Sequence, residues 1–321
     1  MVAAYKTAKN VLPPYSHRFS PQKFKLPQLF ACLVLKTFLK TDYRGIVAIL
    51  QDCPQLGLSI ELKSIPHFST LHKAGKKLLQ LPIANHLLWQ SVQMVLKKHY
   101  IPLAAVDSTG LQAGHISVYF VRRRSREPDL WQTTTYTRFP KLAVVGDCRT
   151  HLILAAITRR GPCPDAHQFV ETLNRLDPNA RIKTLLADAG YDSEANHKYA
   201  REIMRISAVI PPRVGRPSMR HIPKGKYRRL MALKFQTRPR LYGQRWQVET
   251  IFSMIKRRLG DVVHARNYWS QNREMLLMVL THNLAVFLFF KELFYRALLT
   301  PFLSFLFSSF QLRPPRGTTK K

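Results

Sequence analysis

The segment Tyr242-Gly-Gln-Arg245-Trp-Gln-Val-Glu249-Thr-Ile-Phe-Ser-Met-Ile-Lys256 sets its chemistry-bearing residues at offsets of 0, 3, 7 and 14. On a helix turning about 100° per residue, Tyr242, Arg245, Glu249 and Lys256 share about 60° of arc. One carboxylate is flanked by a phenol, a guanidinium and an ammonium, all suited to holding a phosphate. Arg245 can grip it through two parallel bonds, whereas Lys256 acts as a point charge. Val248, Ile251, Phe252, Ile255 and Leu259 fill a neighbouring arc of roughly 100°, the width of a stripe that docks on a core. A buried edge beside a lone carboxylate suggests a site.

Two further acids stand out among the eighteen of the chain. Asp107 closes the apolar run Leu103-Ala-Ala-Val, and Asp188 closes Ile182-Lys-Thr-Leu-Leu-Ala. Each reads as the end of a buried strand, and two such strands side by side bring their carboxylates to one sheet edge. With Glu249 added from a helix, three carboxylates suit hard divalent cations such as Mg2+, which takes oxygen ligands and accepts phosphate oxygens. Two such ions can activate an attacking hydroxyl and stabilise the leaving oxygen of an in-line displacement at phosphorus, with no Ser, His or Cys nucleophile. Taken singly, each acid has a plainer reading, a turn or cap residue for the aspartates and a helix salt-bridge partner for Glu249. Strand order and the helix-face match together favour the catalytic one. Asp192 competes with Asp188 but suits a helix cap before Ser193, while Asp165 and Asp147 suit a cap and a turn.

Stepping along the chain, residues 1–20 read as a loose polar arm. Apolar residues recur at helical spacing over Gln28–Lys40, Asp42–Gln51 and Ile83–His99, so the first hundred residues are expected to be mostly helical. A helix starting at the capping residue Ser69 carries Lys73, Lys76 and Lys77 and is a candidate DNA contact or a solvated face; it lies too far from the preceding helix for a standard helix-turn-helix. Strands are expected over Leu103–Asp107, then in a hairpin through Lys141–Gly146 and His151–Ile157. A helix follows over Asp165–Leu176, then the strand to Asp188, a helix over Glu194–Met204 and a strand over Ser207–Ile210. Residues 211–240, with Arg213, Arg216 and Arg220, read as a basic loop that contacts DNA or merely connects. Arg122–Arg126 is a second basic turn with the same two readings.

The chain has 51 Lys and Arg against 18 Asp and Glu, a formal net charge of +33 over 321 residues, so a polyanion is the expected partner and nucleic acid the default one. The basic residues are spread along the whole length, unlike a juxtamembrane block. Residues 275–290 and 297–312 are uncharged runs of sixteen, short of the roughly 18–20 residues of a spanning helix, and the first is read as a core helix over the sheet. Four cysteines without a C-x-x-C pair and no N-terminal signal peptide point to an intracellular, reduced protein. Cys148 with His151, and Cys163 with His167, approach a zinc spacing, yet a packed Cys and a turn His is the preferred reading. Trp246 and Trp131 could stack on unpaired bases, with packing the favoured role.

Asp107 in Val-Asp-Ser-Thr-Gly, Asp188 in Leu-Leu-Ala-Asp-Ala-Gly-Tyr-Asp, and Tyr242-x2-Arg245-x3-Glu249-x6-Lys256 resemble the DDE transposases of prokaryotic insertion sequences, in the superfamily with that Y-R-E-K signature. The resemblance covers roughly residues 102–290. It implies an α/β, ribonuclease-H-like mixed five-stranded sheet flanked by helices over 101–295, preceded by a mostly helical DNA-binding and dimerising region over 1–100 and followed by an apolar, then basic tail over 296–321. It implies Asp107, Asp188 and Glu249 as ligands of two Mg2+ or Mn2+ ions, and Tyr242, Arg245 and Lys256 as phosphate contacts. It further implies a cytoplasmic, nucleoid-associated homodimer on double-stranded DNA that cuts at terminal inverted repeats and inserts at a target. Relatives that form hairpin ends carry a large β-rich insertion before the Glu; here sixty residues separate Asp188 from Glu249, which speaks against a hairpin step. An idle DNA-binding derivative, a plain metal-dependent nuclease and a basic membrane-associated protein remain alternative readings.

Overall fold

The computed structural model describes residues 1–96, 99–114, 139–213, 223–236 and 240–309, the stretch 293–309 by its backbone alone. The expected basic turn at Arg122–Arg126, together with Trp131, Arg216 and Arg220, lies outside the described residues, as do the side chains of the tail. The centre is β1 (Tyr100–Gly110), whose Ala104, Ala105 and Val106 are fully buried. Such small residues suit a strand covered on both faces. β3 (Phe139–Asp147) pairs antiparallel with β1 and with β4 (Ile153–Gly161), while β5 (Arg181–Ala187) pairs parallel with β1 and with β6 (Ser207–Val209). The order β4-β3-β1-β5-β6, with β3 alone reversed, is the ribonuclease-H-like sheet expected from the sequence. A short β2 (Gln112–Ala113) pairs with β7 (Val262–Val263) beside it.

Period-two alternation sends successive strand residues to opposite faces and so to two cores. Ala104, Val106, Leu185 and Ala187 face a core completed by Phe169, Leu173, Tyr191 and Ala200. Those residues come from a 3-10 turn (Asp165–Gln168) leading into α7 (Phe169–Leu173), from the turn Ala189–Tyr191, and from α8 (Glu194–Lys198), which runs into a π-helical turn over Tyr199–Ile203. Ala105, Leu142, Val144 and Leu186 face the other core, shared with α10 (Trp246–Leu259), α11 (Tyr268–Ser309) and the amino-terminal helices. These are α1 (Val2–Lys9), α2 (Leu26–Phe38), α3 (Tyr43–Asp52), α4 (Pro54–Leu58), α5 (Phe68–Leu78) and α6 (Leu81–Gln93).

Five local expectations are corrected. The supposed loose arm contains α1, because Ala4, Tyr5 and Ala8 are buried against the core. The helix over Lys73 starts at Phe68, with the ring of His67 accepting the Ser69 amide, so Ser69 is not its cap. The first apolar carboxy-terminal run and residues 297–309 of the second lie in a single helix, α11, because Lys291 and Glu292 fall on helical positions without interrupting it. By length and composition Tyr268–Glu292 could cross a membrane, yet 61% of its most apolar window is buried inside the protein. Asn283, fully buried, fixes α11 in place: it accepts from Ile153 N and donates to Ile153 O, both at 2.8 Å, and to Ser91 Oγ at 3.1 Å.

The fourth correction concerns 211–240, where α9 (Lys226–Gln236) replaces part of the expected loop. Its apolar periodicity is faint because only Met231 is buried. Other acids hold it instead. Glu194 accepts the amides of Tyr227 and Arg228 at 3.1 Å each, satisfying two of the free donors at the helix start. Gly225, at φ +106°, has no room for a side chain, since a Cβ would stand 2.2 Å from Glu194 Oε2. Asp192 is no helix cap, a role filled by Ser193; its fully buried carboxylate takes Arg228 Nε at 3.0 and 2.9 Å and Nη2 at 2.7 Å, and the Arg213 amide at 2.8 Å.

Burial alone would raise the Asp192 pKa, but His197, Arg228 and the Arg213 amide bring it down to about 2. A depressed carboxyl contributes stability above its unfolded pKa of about 3.9 and loses it as pH falls toward the folded value. Asp192→Ala is therefore expected to lower stability by about 3 kcal/mol at pH 7, with the difference shrinking between pH 4 and about 2, as followed by urea unfolding.

Candidate active site

In the parallel register of β1 and β5, Val106 pairs with Ala187, so the next residues, Asp107 and Asp188, follow side by side; β5 ends there, whereas β1, expected to stop at Asp107, stays paired with β3 as far as Gly110. Asp107 is half-buried and Asp188, at the start of the turn Ala189–Tyr191, is exposed. Asp107 Oδ1 accepts the Ser108 amide at 2.8 Å, which fixes the carboxylate against its own strand.

Glu249 arrives from α10. The expected apolar stripe, Val248, Ile251, Phe252, Ile255 and Leu259, is buried as a set, each member contributing about 2 kcal/mol of apolar transfer. Gly146 on β3 permits the close seating of this helix, since a Cβ there would lie 2.2 Å from Ile251 Cδ1. Lys40 Nζ donates to the Arg257 carbonyl at 3.1 Å, satisfying an end group of α10 from the amino-terminal region. Gln247 Oε1 meets His151 Nε2 at 2.7 Å, which places His151 in the β3–β4 turn as expected, with Cys148 packed nearby.

The helix begins at Trp246 and not at Tyr242. Tyr242 and Arg245 ride on a 3-10 turn, Arg240–Arg245, and the single-face geometry holds only for Glu249 and Lys256. Gly243 weakens helix propagation there, and two ion pairs hold Arg245 in the tighter path. Arg245 Nη1 donates to Asp107 Oδ2 at 3.1 Å, and Nη2 to Glu249 Oε1 at 2.7 Å. Tyr242 packs edge-on against Phe235 at 5.0 Å between ring centroids and lies within electrostatic reach of Asp107 and Asp188. An open cleft lined by Asp107, Ser108, Glu249, Ser253, Lys256 and Arg257 lies along α10.

The signature residues are thus brought together, with Arg245 standing between Asp107 and Glu249. Among the described residues no three His, Cys, Asp or Glu side chains converge as a ready ligand cage, in the zinc-like pairs or elsewhere. The donors still fit a hard divalent ion, being oxygen only, and the Arg245 guanidinium stands in as the cation that neutralises two of them. Burial is the main cause that raises the Asp107 pKa; the Ser108 amide and Arg245 lower it, and Asp188 and Asp165 raise it again. Burial would lower the Arg245 pKa, but Asp107, Tyr242, Glu249 and Asp188 lift it above its ordinary value.

The other expected contacts lie apart. Arg213 is exposed, with its backbone amide tied to Asp192. Lys73 is exposed on α5 beside Lys76 and Lys77, on an element outside the cleft. Trp246 is 53% exposed, so it is not a core residue. Sequence reasoning missed Ser108, Lys141, Asp165 and Arg257; the one signal was a lysine opening the apolar run Lys141-Leu-Ala-Val-Val.

The family model described as the transposase DDE domain matches residues 100–284 of this chain. The chain belongs to that family. Among solved structures, this transposase-family chain is similar to piggyBac transposase in a synaptic complex with hairpin DNA, at 11% identity and a TM-score of 0.42, over 89% of this chain and 70% of that one. It is also similar to a chain of a pre-cleavage Mos1 transpososome, at 11% identity and a TM-score of 0.22, over 88% and 82%. No curated protein sequence matches it.

Because the folded pKa of Asp107 is raised, its charged form disfavours folding above the carboxylate range and this penalty vanishes below the unfolded pKa of about 3.9. Asp107→Asn should accordingly unfold at a higher temperature than the parent at pH 7, by a few degrees, and the gap should close as pH drops below about 4. Differential scanning calorimetry across that range checks it.

Proposed function

We propose that this chain is the transposase of a prokaryotic insertion sequence, acting in the cytoplasm on double-stranded DNA. It binds the terminal inverted repeats of its element as a homodimer and catalyses divalent-metal-dependent cleavage and strand transfer, moving the element by cut and paste. The observation that carries this reading is the adjacency of Asp107 and Asp188 where the parallel pairing of β1 and β5 ends, with Glu249 linked to Asp107 through Arg245.

Asp107, Asp188 and Glu249 hold the metal, Mg2+ in two copies with Mn2+ as a substitute. When bound, the metal supplies charge stabilisation at phosphorus and a readily deprotonated attacking hydroxyl. The protein's own groups do the rest. Arg245, fixed between two acids, keeps their like charges together; once those acids are otherwise neutralised, its planar fork is free to grip a phosphate. Lys256, on the same cleft two turns beyond Glu249, and the neighbouring Arg257 draw the backbone along α10. Tyr242, packed on Phe235 within electrostatic reach of Asp107 and Asp188, contacts phosphate near the cut, and Arg213, Arg216 and Lys73 are further DNA contacts. Residues 1–100 serve as the DNA-binding and dimerising region, and 101–295 as the catalytic domain.

The test is cleavage and strand transfer on DNA carrying the element's own ends with Mg2+ present, comparing the parent with Glu249→Gln. Cutting and joining by the parent, reduced on the order of a hundredfold or more in the variant with end binding retained, supports the reading. Equal end binding with no cutting by either protein would overturn it in favour of an idle DNA-binding derivative.

A further inference from the structure

We propose that Asp165 is a positioning carboxylate for the metal-holding acids, acting through Ser108, with Lys141 as its fixed counter-charge. This rests on the reading of Asp107, Asp188 and Glu249 as the metal ligands. Ser108 is held from two sides. Its amide donates to Asp107 Oδ1 at 2.8 Å, and its hydroxyl donates to Asp165 Oδ1 at 2.6 Å. The main chain that carries Asp107 is thereby pinned to a residue fifty-eight positions away in sequence, at the start of the turn leading into α7.

Asp165 is itself held firmly. Lys141, on β3 and only 8% exposed, donates from Nζ to the same Oδ1 at 2.6 Å and to the Cys163 carbonyl at 2.6 Å. A nearly buried ammonium needs a partner charge, and a carboxylate with two donors on one oxygen loses its freedom to turn. Across the group, Gly190 leaves a bare gap: a Cβ there would stand 3.8 Å from Asp165 Oδ2 and 3.9 Å from Asp188 Oδ2. The phenol of Tyr191, 1% exposed, lies beside Ser108 and within electrostatic reach of Asp165, Asp107 and Asp188. With Oδ1 saturated by Ser108 and Lys141, Asp165 aligns the acids and does not bind as one of them.

The deciding measurement is Mn2+ binding by the intact chain, read from the loss of the free Mn2+ signal in electron paramagnetic resonance. The proteins compared are the parent, Ser108→Ala, Ser108→Thr, Asp165→Asn and Asp107→Asn, with thermal unfolding in the absence of metal recorded for each. Ser108→Ala leaves the Lys141–Asp165 pair whole and is expected to weaken Mn2+ binding about tenfold, with Ser108→Thr restoring it through the retained hydroxyl. Asp165→Asn is expected to weaken it by a similar factor. Parent-like Mn2+ affinity in Ser108→Ala, with or without a lowered unfolding temperature, would overturn the proposal. A loss in Asp165→Asn as deep as in Asp107→Asn would overturn it as well, making Asp165 a direct ligand. Binding by the parent that Asp107→Asn abolishes would leave the metal-carboxylate reading standing in either case, whereas no binding by the parent would overturn both.

Discussion

The parallel pairing of β1 with β5 is the constraint on which the site depends. It sets Asp107 and Asp188 next to each other at one sheet edge. Two carboxylates so placed repel, and the burial of Asp107 sharpens the repulsion because a low-dielectric surrounding screens it less. The cations nearby are therefore as much a part of the architecture as the acids. Arg245 bridges Asp107 to Glu249, and Lys141 lies under Asp165. The two are held differently: Lys141 is locked by a strand and a carbonyl, while Arg245 sits on a short turn ahead of a helix.

Acids are scarce in this chain, and their distribution follows a division of labour. Those outside the cleft tie basic elements to the body of the protein. Asp192 and Glu194 hold the start of α9, Glu202 accepts from Tyr227, and Glu171 pairs with Arg159 and Arg175. What remains exposed is overwhelmingly cationic, as the net charge of +33 demands. Such a surface is stable only in a screening environment, and a nucleic-acid backbone provides one.

Much of the fold was legible because its signals are local. The run before Asp188 is a strand that ends where the acid begins, the run before Asp107 is a strand that continues past it to Gly110, and the stripe Val248 to Leu259 is buried as its spacing implied. The helical character of the first hundred residues followed from periodicity in the same way. What stayed hidden depends on partners distant in sequence. α9 buries only Met231 and is held by Asp192 and Glu194, which no periodicity within residues 226–236 could reveal. Tyr242 and Arg245 fit a helix face on paper, yet Gly243 and the ion pairs of Arg245 put them on a 3-10 turn. Asp165 looked like a cap because Pro-Asp commonly starts a helix; its bonds to Ser108 and Lys141 come from strands far earlier in the chain.

The seating of α10 on β3 carries a consequence for how such a protein can fail. The height of Glu249 above the two aspartates is set by packing, through the contact of Ile251 with a position that has no side chain, Gly146. A methyl group at that position would act as a shim under the helix. It would lift the acid away from the edge while leaving the basic surface and its grip on a polyanion as they were. The spacing of the three acids can thus be disturbed through a change at a residue with no functional group at all.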